Sequence, residues 1–496
     1  MNQFQNTRAA VIGLARSGVP AARFLLERGA RVVGYDSKTR DQLSDDVLAL
    51  EREGVQLKLG EHGFDEIESC DLVVLSPGLK VHFEPLRSVI ERVERAGGEV
   101  IGELELASRF CPCPMIAVTG TKGKSTTVKL ITEMLVACGV DAISAGNTGT
   151  PLISVLPQLK PTSWAVVETS SFQLEKAPTF KPKIAVLLSL LEDHQDYHPT
   201  LEQYWETKLK IFANQGEDDE AIYNADDPRV LSYFLRDVKS QTQLETTCLA
   251  TTCRTLEEVP EVKWWQGVND TDFDAMPWVW GDQSRECLHL FGYLMDLRIS
   301  LADFPLKGTH NVSNLAAALG VVASVGELAI TLREKREQKL EAIQKAINNF
   351  QSLPHRLEIV ARKEGVTYVN DSQSTIPDAS IAALKSFPAP VSLLLGGRAK
   401  ISAESYSLLM KTVAQVKAKI FLFGEAKEML EEVACRENVE KSSIWRENTL
   451  AEVLQLAKIN SSSGETVVLS PACASFDQFS SYEDRGETFR RLVREL

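Results

Sequence analysis

The sequence predicts an α/β protein built from layers of parallel strands and helices. Short apolar runs alternate with segments of helical spacing, and most runs end in a glycine-rich or polar turn. The alternation restarts after Pro112 and Pro114, which break the chain, and again after Ser352–Arg356. A chain of 496 residues also exceeds what one hydrophobic core usually serves. We therefore expect three domains, covering residues 1–112, 113–351 and 352–496.

The composition is that of a soluble globular protein, with 44% hydrophobic and 25% charged residues. A formal net charge of −14 argues against a nucleic-acid partner held by a general basic surface. No signal peptide is evident, and no apolar run approaches the length of a membrane span. The nine cysteines lack zinc-type spacing, which favours reduced thiols. We expect a cytoplasmic monomer that is not inserted in a membrane.

A glycine-rich loop between a strand and a helix is the most specific motif. The apolar run Met115–Val118 leads into it, and a segment of helical spacing follows. Glycines let the backbone approach a ligand, and amides at a helix N-terminus point towards an anion. Lys124 is expected to reach the outer phosphates of a nucleotide and the Ser125 hydroxyl to bind Mg²⁺, although Val118 replaces the first glycine of the full motif. The candidate nucleotide-binding residues here are Gly120, Thr121, Lys122, Gly123, Lys124, Ser125, Thr126 and Thr127.

The N-terminal segment begins like a doubly wound domain. Strand Arg8–Leu14 leads into the turn Ala15–Gly18 and a helix, and the second strand ends at Asp36. Evidence for NAD is weak, because Ala15 occupies the middle glycine position of the dinucleotide fingerprint. The turn can still hold the pyrophosphate of a nucleotide sugar. Ser76–Gly78 follows another strand at the carboxyl edge of the sheet, where ligands of such sheets gather.

Polar side chains follow two apolar strands of the central region. Glu168 ends Trp164–Val167, and Glu192–His198 comes directly after Ile184–Leu190. Oxygen ligands beside a nucleotide favour Mg²⁺, which keeps waters and takes few protein ligands. The second segment contains aspartates and histidines, so zinc and a solvated turn remain alternatives.

Two further features of the central region are less specific. The helix Leu201–Phe212 carries Lys208 on a largely apolar stripe, which favours a surface lysine whose stem lies along apolar side chains. Residues 237–298 have poor periodicity and are expected to form a β-rich insert, with strands at Cys287–Phe291 and Leu297–Leu301.

Beyond residue 352 the α/β alternation resumes. Val366–Val369, Val391–Leu395 and Val467–Leu469 have the pattern of strands that run into polar turns. Those turns are Asn370–Ser372, Gly396–Arg398 and Ser470–Ser475.

Together these motifs resemble those of the muramyl ligase family, the ATP-dependent amide-forming enzymes that build the peptide of the bacterial cell wall. The resemblance covers nearly the whole chain and implies a Rossmann-like N-terminal domain, a central domain of P-loop ATPase type and a Rossmann-like C-terminal domain. Within the family, Ser170–Leu174 and Ser470–Ser475 point to the member that adds glutamate. The other matching segments are Gly13–Gly18, Ser76–Gly78, Gly102–Leu106, Gly120–Thr127, Gly146–Gly149, Glu192–Asp196, Tyr204–Phe212, His310–Asn311, Leu353–Arg356, Asn370–Ser372 and Leu395–Gly397.

The resemblance implies that ATP with Mg²⁺ drives the joining of D-glutamate to UDP-N-acetylmuramoyl-L-alanine. The substrate carboxylate would attack the γ-phosphate to give an acyl phosphate, and the amine of glutamate would then displace phosphate. Lys208 is implied to be carbamylated, which turns a cation into a carboxylate-like metal ligand.

The resemblance also implies roles for individual residues. The implied catalytic residues are Lys124, Asn147, Glu168, His194 and Lys208. The implied Mg²⁺ ligands are Ser125, Glu168, His194 and Lys208. Further nucleotide contacts are implied for Asn311, Arg356 and Asp371. The implied substrate-binding residues are Ser17, Asp36, Ser37, Ser76, Pro77, Gly78, Arg398, Lys400, Ser475 and Phe479.

Three positions depart from the family pattern. Lys122 stands where Asn is usual, and Arg398 stands where Asp is usual. Gln373 replaces a lysine that is implied to pair with the side-chain carboxylate of glutamate, and a neutral amide cannot make that charge-assisted bond. We expect Arg398 to compensate from the neighbouring loop. L-glutamate or another amino acid remains an alternative acceptor.

Two other classes of protein are weighed against a ligase. A nucleotide-binding homologue without catalytic activity is disfavoured, because nucleotide binding alone needs no second metal site of the kind that Glu168, His194 and Lys208 imply. A dehydrogenase is disfavoured by Ala15 in the glycine turn.

Overall fold

The computed structural model describes the chain apart from residues 1–2, 61–63, 65, 196, 240–245, 252–277, 283–286, 292–296, 307, 326–334 and 352–353. The chain divides into two units. Unit 1 comprises Met1–Leu191, Tyr197–Ala302 and Ser313–Ile347, and unit 2 comprises Glu192–Asp196, Asp303–Val312 and Asn348–Leu496. The expected boundary at residue 112 lies within unit 1, and the division into three domains stays a prediction.

The first sheet of unit 1 has five parallel strands. The strands are β1 Arg8–Ile12, β2 Arg31–Asp36, β3 Gln56–Leu59, β4 Leu72–Leu75 and β5 Glu99–Gly102, with helices α1 Gly18–Glu27, α2 Asp45–Glu53, α3 Leu86–Arg95 and α4 Glu103–Ser108. Their order is β3-β2-β1-β4-β5, so the order reverses between β1 and β4. Ligands of open α/β sheets bind at such a reversal, outside the carboxyl ends of the strands. The turns Ala15–Gly18 and Ser76–Gly78 follow these two strands and meet there.

The second sheet has nine strands in the described part of the chain. The strands are β6 Met115–Thr119, β7 Ala142–Gly146, β8 Trp164–Glu168, β9 Ile184–Leu187, β10 Glu220–Asn224, β11 Thr246–Thr251, β12 Trp278–Asp282, β13 Cys287–Phe291 and β14 Leu297–Ser300. The helices are α5 Lys124–Ala137, α6 Leu152–Val155, α7 Ser171–Glu175, α8 Leu201–Leu209, α9 Pro228–Lys239, α10 Thr309–Ser324 and α11 Arg336–Asn348. The order is β14-β13-β12-β11-β10-β9-β6-β8-β7. β6 to β12 are parallel, whereas β13 and β14 run antiparallel to their neighbours.

The expected insert at residues 237–298 contributes strands to this second sheet. The two strands predicted at Cys287–Phe291 and Leu297–Leu301 are confirmed, and the second ends one residue earlier, at Ser300. β11 and β12 also fall in this region and extend the sheet from β10. Residues 252–277 and the short connections between these strands lie outside the described residues.

The third sheet lies in unit 2 and has six strands. The strands are β15 Glu358–Lys363, β16 Val366–Asn370, β17 Val391–Gly396, β18 Lys419–Phe423, β19 Ile444–Arg446 and β20 Thr466–Leu469, with helices α12 Pro377–Lys385, α13 Ser407–Val416, α14 Lys427–Arg436, α15 Leu450–Ile459 and α16 Tyr482–Glu495. The order is β15-β16-β20-β17-β18-β19, and only β15 is antiparallel. The turns after β16, β20 and β17 therefore share one edge of the sheet.

Apolar strands explain why these sheets form. All five residues of β6 and all six of β17 are buried, as expected for parallel strands covered by helices on both faces. The predicted α/β class is therefore confirmed. Two further strands are shorter than predicted: β1 ends at Ile12 rather than at Leu14, and β9 ends at Leu187 rather than at Leu190. The residues after β9 leave the sheet because their polar groups bind the glycine-rich loop.

Two expectations about the whole chain can be compared with the structure. In the described residues no helix combines the length and the apolar character that crossing a membrane requires. The cysteines whose side chains are described form no disulfide. These are Cys70, Cys111, Cys113, Cys138, Cys287, Cys435 and Cys473.

Candidate active site

The glycine-rich loop joins β6 to α5, as the sequence predicts. Gly120 has φ +149° and Gly123 has φ +90°, a left-handed region that favours glycine. Gly123 caps α5, so the first amides of the helix face the loop. A Cβ atom on Gly123 would lie 2.3 Å from Asn314 Oδ1 and one on Gly120 3.0 Å from Ser189 N. Close packing and backbone geometry thus both require glycine at these two positions.

The segment after β9 holds the loop in place. Thr121 N donates to Ser189 O at 2.9 Å, and Lys122 N donates to Ser189 Oγ at 3.0 Å. Leu191 N donates to Thr121 Oγ1 at 3.0 Å, and Tyr204 Oη donates to the same oxygen at 3.2 Å. Because these bonds replace sheet pairing, residues 188–191 support the loop instead of extending the strand.

Two lysines converge on one carbonyl oxygen of the loop. Lys124 Nζ donates to Gly120 O at 2.8 Å and to Thr121 O at 3.1 Å. Lys208 Nζ, on α8, donates to Gly120 O at 3.2 Å and lies 4.5 Å from the centre of the Tyr204 ring. Lys208 is only 2% exposed, so the interpretation of this residue as a surface lysine is wrong. The apolar stripe of α8 buries Lys208 beside the phosphate loop.

A buried carboxylate lies at the end of β8. Glu168 Oε1 accepts hydrogen bonds from Asn147 Nδ2 at 3.0 Å and from Thr148 Oγ1 at 2.8 Å. Asn147 N also donates to Glu168 O at 2.9 Å, which fixes the loop after β7 against the end of β8. Ser125 Oγ, at the start of α5, lies 3.5 Å from Thr148 Oγ1. The oxygen-bearing side chains of Glu168, Thr148 and Ser125 therefore lie close together. Glu168 is 2% exposed and Ser125 is 9% exposed.

This donor set suits Mg²⁺. Hydroxyl and carboxylate oxygens are the ligands that Mg²⁺ prefers, and the ion usually takes few of them from the protein. Lys208 fits only in a carbamylated form, because an ammonium group has no lone pair to offer a metal. Thr126 and Thr127 are buried in the first turn of α5, and the Thr127 amide already donates to Gly123 O at 2.9 Å.

Asn314 is a residue of the loop region that sequence reasoning missed. It lies on α10, is 5% exposed, and its side-chain oxygen packs against Gly123. The spacing of the two asparagines could have indicated this position. Asn314 follows Asn311 by three residues, so the two side chains lie on the same face of one helix. Asn311 belongs to unit 2 and is 3% exposed.

The candidate nucleotide-sugar turns lie at the reversal of the first sheet. Ser76 Oγ donates to Gly13 O at 2.6 Å, and Ser17 Oγ lies 3.4 Å from Ser76 Oγ. Asp36 accepts from Leu14 N at 2.8 Å through Oδ2 and from Lys38 N at 3.0 Å through Oδ1. Asp36 thus orders the turn after β1, and Ser37 beside it is exposed.

A cleft of unit 1 adjoins these turns. Ser76, Pro77 and Gly78 line one side of it. The remaining lining residues are Leu75, Leu79, Val81, Gly102, Glu103, Phe172, Gln173, Lys176 and Tyr197. The predicted Ser76–Gly78 turn therefore lines a small cleft beside the candidate nucleotide-sugar turns.

Arg16 is a second residue that sequence reasoning missed. It lies in the Ala15–Gly18 turn, and its Nη2 donates to Asn147 O at 2.7 Å. The signal was a guanidinium group inside a glycine turn, but nothing in the local sequence indicates a partner 131 residues away.

His194 lies in unit 2 beside Asp193, which also contacts the predicted residue Lys400. Its φ is +54°, its amide donates to Asp193 Oδ1 at 2.9 Å, and its Nε2 lies 3.7 Å from Asp193 Oδ2. Lys400 Nζ lies 3.4 Å from Asp193 Oδ1 and donates to Thr375 Oγ1 at 3.2 Å. Thr375 was missed by sequence reasoning, although it stands two residues after Gln373.

The zinc interpretation of residues 192–198 finds no support in the described residues. His198 is 3% exposed, its Nε2 bonds Ser171 Oγ at 3.0 Å, and its ring stacks on Phe172 with a centroid separation of 5.8 Å. No group of three or more His, Cys, Asp or Glu side chains arranged to hold a metal occurs in the part of the chain that the structure describes. Asp196 lies outside that part.

Asp371 follows β16 in unit 2 and is 2% exposed. It accepts from Leu357 N at 3.1 Å and from Ser470 Oγ at 2.8 Å, so it joins the turns after β16 and β20. Burial raises the pKa of Asp371, and these hydrogen bonds and the charge of Arg356 act in the opposite direction. Arg356 is partly buried, and its charge adds to burial in lowering the pKa of His310 to about 4.

Backbone pairing joins the two glutamate-binding turns that the sequence predicts. Arg398 and Ala474 exchange two backbone hydrogen bonds of 2.9 Å. The Arg398 guanidinium forms a bidentate pair with Glu425, at 2.9 and 2.8 Å. Ser475 is 2% exposed and accepts from Phe479 N at 2.9 Å.

A fully buried arginine that sequence reasoning missed supports these turns. Arg485, on α16, donates to Ser372 Oγ at 3.0 Å, to Ser372 O at 2.9 Å and to Cys473 O at 3.1 Å. Burial lowers its pKa to about 10. Arg485 therefore ties the turn that precedes Gln373 to the Ser470–Ser475 turn.

The comparisons with known proteins agree with this geometry. The Mur ligase middle domain matches residues 118–322, and the Mur ligase MurD-like N-terminal domain matches residues 7–102. A UDP-N-acetylmuramoylalanine–D-glutamate ligase of Koribacter versatilis is 37% identical over 99% of this chain and 97% of that protein. One of Geotalea daltonii is 36% identical over 100% of this chain and 98% of that protein. The chain belongs to the Mur ligase family of ATP-dependent, amide-bond-forming ligases, and the family resemblance is confirmed.

Solved structures support the same fold. UDP-N-acetylmuramate-alanine ligase from Thermotoga maritima matches with a TM-score of 0.56 and 15% identity, over 99% of this chain and 100% of that one. A pseudomurein peptide ligase type C from Methanothermus fervidus matches with a TM-score of 0.55 and 17% identity, over 99% and 100%. At this identity the likeness concerns the fold alone.

Proposed function

We propose that this chain joins D-glutamate to UDP-N-acetylmuramoyl-L-alanine, with conversion of ATP to ADP and phosphate, as a step of peptidoglycan synthesis. Its similarity over the whole length to ligases that bear this name carries the proposal. The arrangement of Lys124, Asn147, Glu168 and Lys208 around the glycine-rich loop supplies the chemistry. A cytoplasmic location and a monomeric state remain predictions.

The loop and α5 bind the phosphates of ATP. The amides at the start of α5 and the positive end of that helix neutralise phosphate charge, and Lys122 adds a further cation. Lys124 stabilises the γ-phosphoryl group during transfer by exchanging its loop carbonyls for phosphate oxygens. Asn311, Arg356 and Asp371 of unit 2 are assigned to the rest of the nucleotide.

Ser125 and Glu168 would hold one Mg²⁺, with His194 and Lys208 assigned to a second. The ion supplies charge neutralisation between phosphate oxygens when it is bound. Asn147 and Thr148 orient the Glu168 carboxylate by donating to Oε1, so that its other oxygen stays available.

The reaction is mainly one of positioning. The alanine carboxylate attacks the γ-phosphorus of ATP and ADP leaves. The amino nitrogen of D-glutamate then attacks the acyl carbon, phosphate leaves, and the nitrogen loses a proton. Asn147 is assigned to orient the carboxylate substrate, because it lies between the N-terminal turn and Glu168.

Carbamylation of Lys208 is part of the proposal. Two ammonium groups that donate to the same Gly120 oxygen lie close together, and like charges repel. A carbamate on Lys208 removes one of the two positive charges, keeps an N–H that can donate to Gly120 O, and offers oxygens that suit Mg²⁺.

The two ends of the reaction are assigned to different sheets. Ser17, Asp36, Ser37 and Ser76–Gly78 receive the uridine diphosphate, because their turns meet at the reversal of the first sheet. Lys400, Arg398, Ser475 and Phe479 receive glutamate at the edge of the third sheet. Lys400 is the main cation for the carboxylates of glutamate, since it gives up one contact of 3.4 Å with Asp193, whereas Arg398 gives up a bidentate pair with Glu425.

A different acceptor is the second candidate, and Gln373 is the observation that favours it. Its neutral amide stands where an ion pair with glutamate is implied. L-glutamate or an amino acid with an uncharged side chain would then replace D-glutamate.

Product analysis tests the proposed ligation. ATP, Mg²⁺, D-glutamate and UDP-N-acetylmuramoyl-L-alanine are incubated with the protein, and mass spectrometry is expected to show the nucleotide sugar extended by one glutamyl group. Lys124→Ala should reduce the rate at least a hundredfold, because phosphoryl charge loses its main cation. Lys129→Ala is the control: it lies on the same helix and pairs with Glu133 at 3.7 Å. Failure of the wild-type chain to extend the sugar would contradict the proposal.

A further inference from the structure

The loop that orients Glu168 is held at both ends by residues from the first-sheet part of the chain. At its start, Arg16 Nη2 donates to Asn147 O at 2.7 Å. At its far end, Ile153 N donates to Glu103 Oε1 at 3.0 Å. Both contacts lie within unit 1. Residues 147–153 are thus held by the side chains of Arg16 and Glu103, which lie 131 and 50 residues from the residues they bind.

The start of this loop controls the buried carboxylate. Asn147 bonds Glu168 twice, through its side chain to Oε1 at 3.0 Å and through its amide to Glu168 O at 2.9 Å. Thr148 donates to the same Oε1 at 2.8 Å. A shift of the Asn147 backbone therefore moves every one of these donors, and with them the orientation of the carboxylate.

Arg16 makes its contact from the turn that is assigned to the nucleotide sugar. It precedes Ser17, which lies beside Ser76, and it follows β1 at the reversal of the first sheet. Arg16 itself is exposed. Water competes for an exposed hydrogen bond, so this one adds little to the stability of the free protein. A substrate that covers the turn excludes this water and strengthens the contact.

We propose that Arg16 is a positioning residue of the ligation reaction: from the nucleotide-sugar turn it holds Asn147, and through Asn147 it holds Glu168 in its metal-binding orientation. This inference rests on the proposed function for the role of Glu168. Arg16 would thus connect the nucleotide-sugar turn to the phosphoryl-transfer site.

The variants Arg16→Ala, Arg16→Lys and Arg52→Ala test this link. Lysine keeps a charged donor, whereas alanine removes it. Arg52 is an exposed arginine on α2 of the same sheet and serves as the matched control. Four quantities are measured for each variant: kcat and KM with UDP-N-acetylmuramoyl-L-alanine, Mn²⁺ binding in the presence of that nucleotide sugar by the electron paramagnetic resonance signal of free Mn²⁺, and the Tm of the free protein.

Arg16→Ala is expected to lower kcat and to weaken Mn²⁺ binding, each roughly tenfold. This is the lower end of the range of effects seen when a residue that orients a metal ligand is removed. Arg16→Lys should recover most of both, and Arg52→Ala should match the wild type. Tm should stay within about 2 °C of the wild type in every variant, because the contact is exposed. A purely structural role would instead lower Tm in Arg16→Ala.

Two results would overturn the inference. One is unchanged Mn²⁺ binding and kcat in Arg16→Ala. The other is a rise in KM for the nucleotide sugar alone, which would make Arg16 a substrate contact that does not act through Asn147. Failure of the proposed function itself is distinguishable, because the wild-type chain would then form no product while the Mn²⁺ comparison could still be made.

Discussion

Burial determines the pKa of Glu103, the first residue of α4. It is 1% exposed, Oε1 accepts from Ile153 N at 3.0 Å, and among the described residues Oε2 has no hydrogen-bond partner. Loss of hydration raises the pKa of Glu103 to about 7. Because the folded-state value lies above the unfolded value, the protonated form favours folding. That stability is complete below the unfolded pKa and is lost as the pH rises through 7.

We therefore predict that Glu103→Gln stabilises the protein at alkaline pH. The amide keeps an oxygen for Ile153 N and cannot ionise. Near pH 5 the variant and the wild type should have similar free energies of unfolding, and near pH 8 the variant should be more stable by on the order of 3 kcal/mol. Urea unfolding of both proteins between pH 5 and pH 8 measures the difference.

Glu105 provides the contrast within the same helix. It is also buried, but it accepts from Arg109 Nε at 2.8 Å and from Thr179 N at 3.1 Å. Glu105→Gln loses an ion pair and should destabilise the protein at both pH values. A parallel decline of Glu103→Gln and the wild type with pH would show that Glu103 does not titrate in this range.

At the scale of single elements, the proposed glutamate contacts depend on the loops after β16 and β17. Lys400 has a 24% exposed side chain, near Thr375 and Asp193, and Arg398 is paired with Glu425. Both cations already contact a carboxylate, but Lys400 has one contact of 3.4 Å with Asp193, whereas Arg398 has to give up a bidentate pair with Glu425 at 2.9 and 2.8 Å.

We predict that Lys400→Ala raises the KM for glutamate at least tenfold, through loss of a charge-assisted hydrogen bond. Arg398→Ala should raise it only a few-fold. Steady-state kinetics with varied glutamate measures both, and Lys411→Ala, an exposed lysine on α13, is the control. An unchanged KM in Arg398→Ala would exclude compensation for Gln373 by Arg398, and an unchanged KM in Lys400→Ala would contradict the assignment of Lys400.

Most elements could be predicted from the sequence, because apolar runs and glycine turns are local signals. β6, the glycine-rich loop and α5 follow the predicted pattern closely. The exceptions depend on distant partners. β9 is shortened by bonds to the glycine-rich loop, and Lys208 is buried against Gly120, 88 residues away in the sequence. A pattern along one helix cannot reveal such partners.

At the scale of the whole molecule, strand order explains how the central site assembles. β9, β6, β8 and β7 are neighbours in one parallel sheet, so their carboxyl ends lie along a single edge. The segment after β9, the glycine-rich loop, Glu168 and Asn147 follow these four strands. The sequence places each residue at a strand end, but only the order β9-β6-β8-β7 makes them neighbours.

Residues contributed across large sequence distances are the part that the sequence could not predict. Arg16, Asn314, Thr375 and Arg485 each act on a loop that another part of the chain supplies. The sequence shows which amino acid stands at each of these positions. It does not show which residue each one contacts, because that depends on how elements far apart in the chain pack together.

The most direct test of the account is phosphate release from ATP with UDP-N-acetylmuramoyl-L-alanine and Mg²⁺, with D-glutamate and L-glutamate added in separate reactions. Release that requires the nucleotide sugar and occurs only with D-glutamate is the predicted result. It would also show that another group takes over the role of the lysine missing at Gln373. Release with L-glutamate alone, or with neither enantiomer, would contradict the proposed reaction.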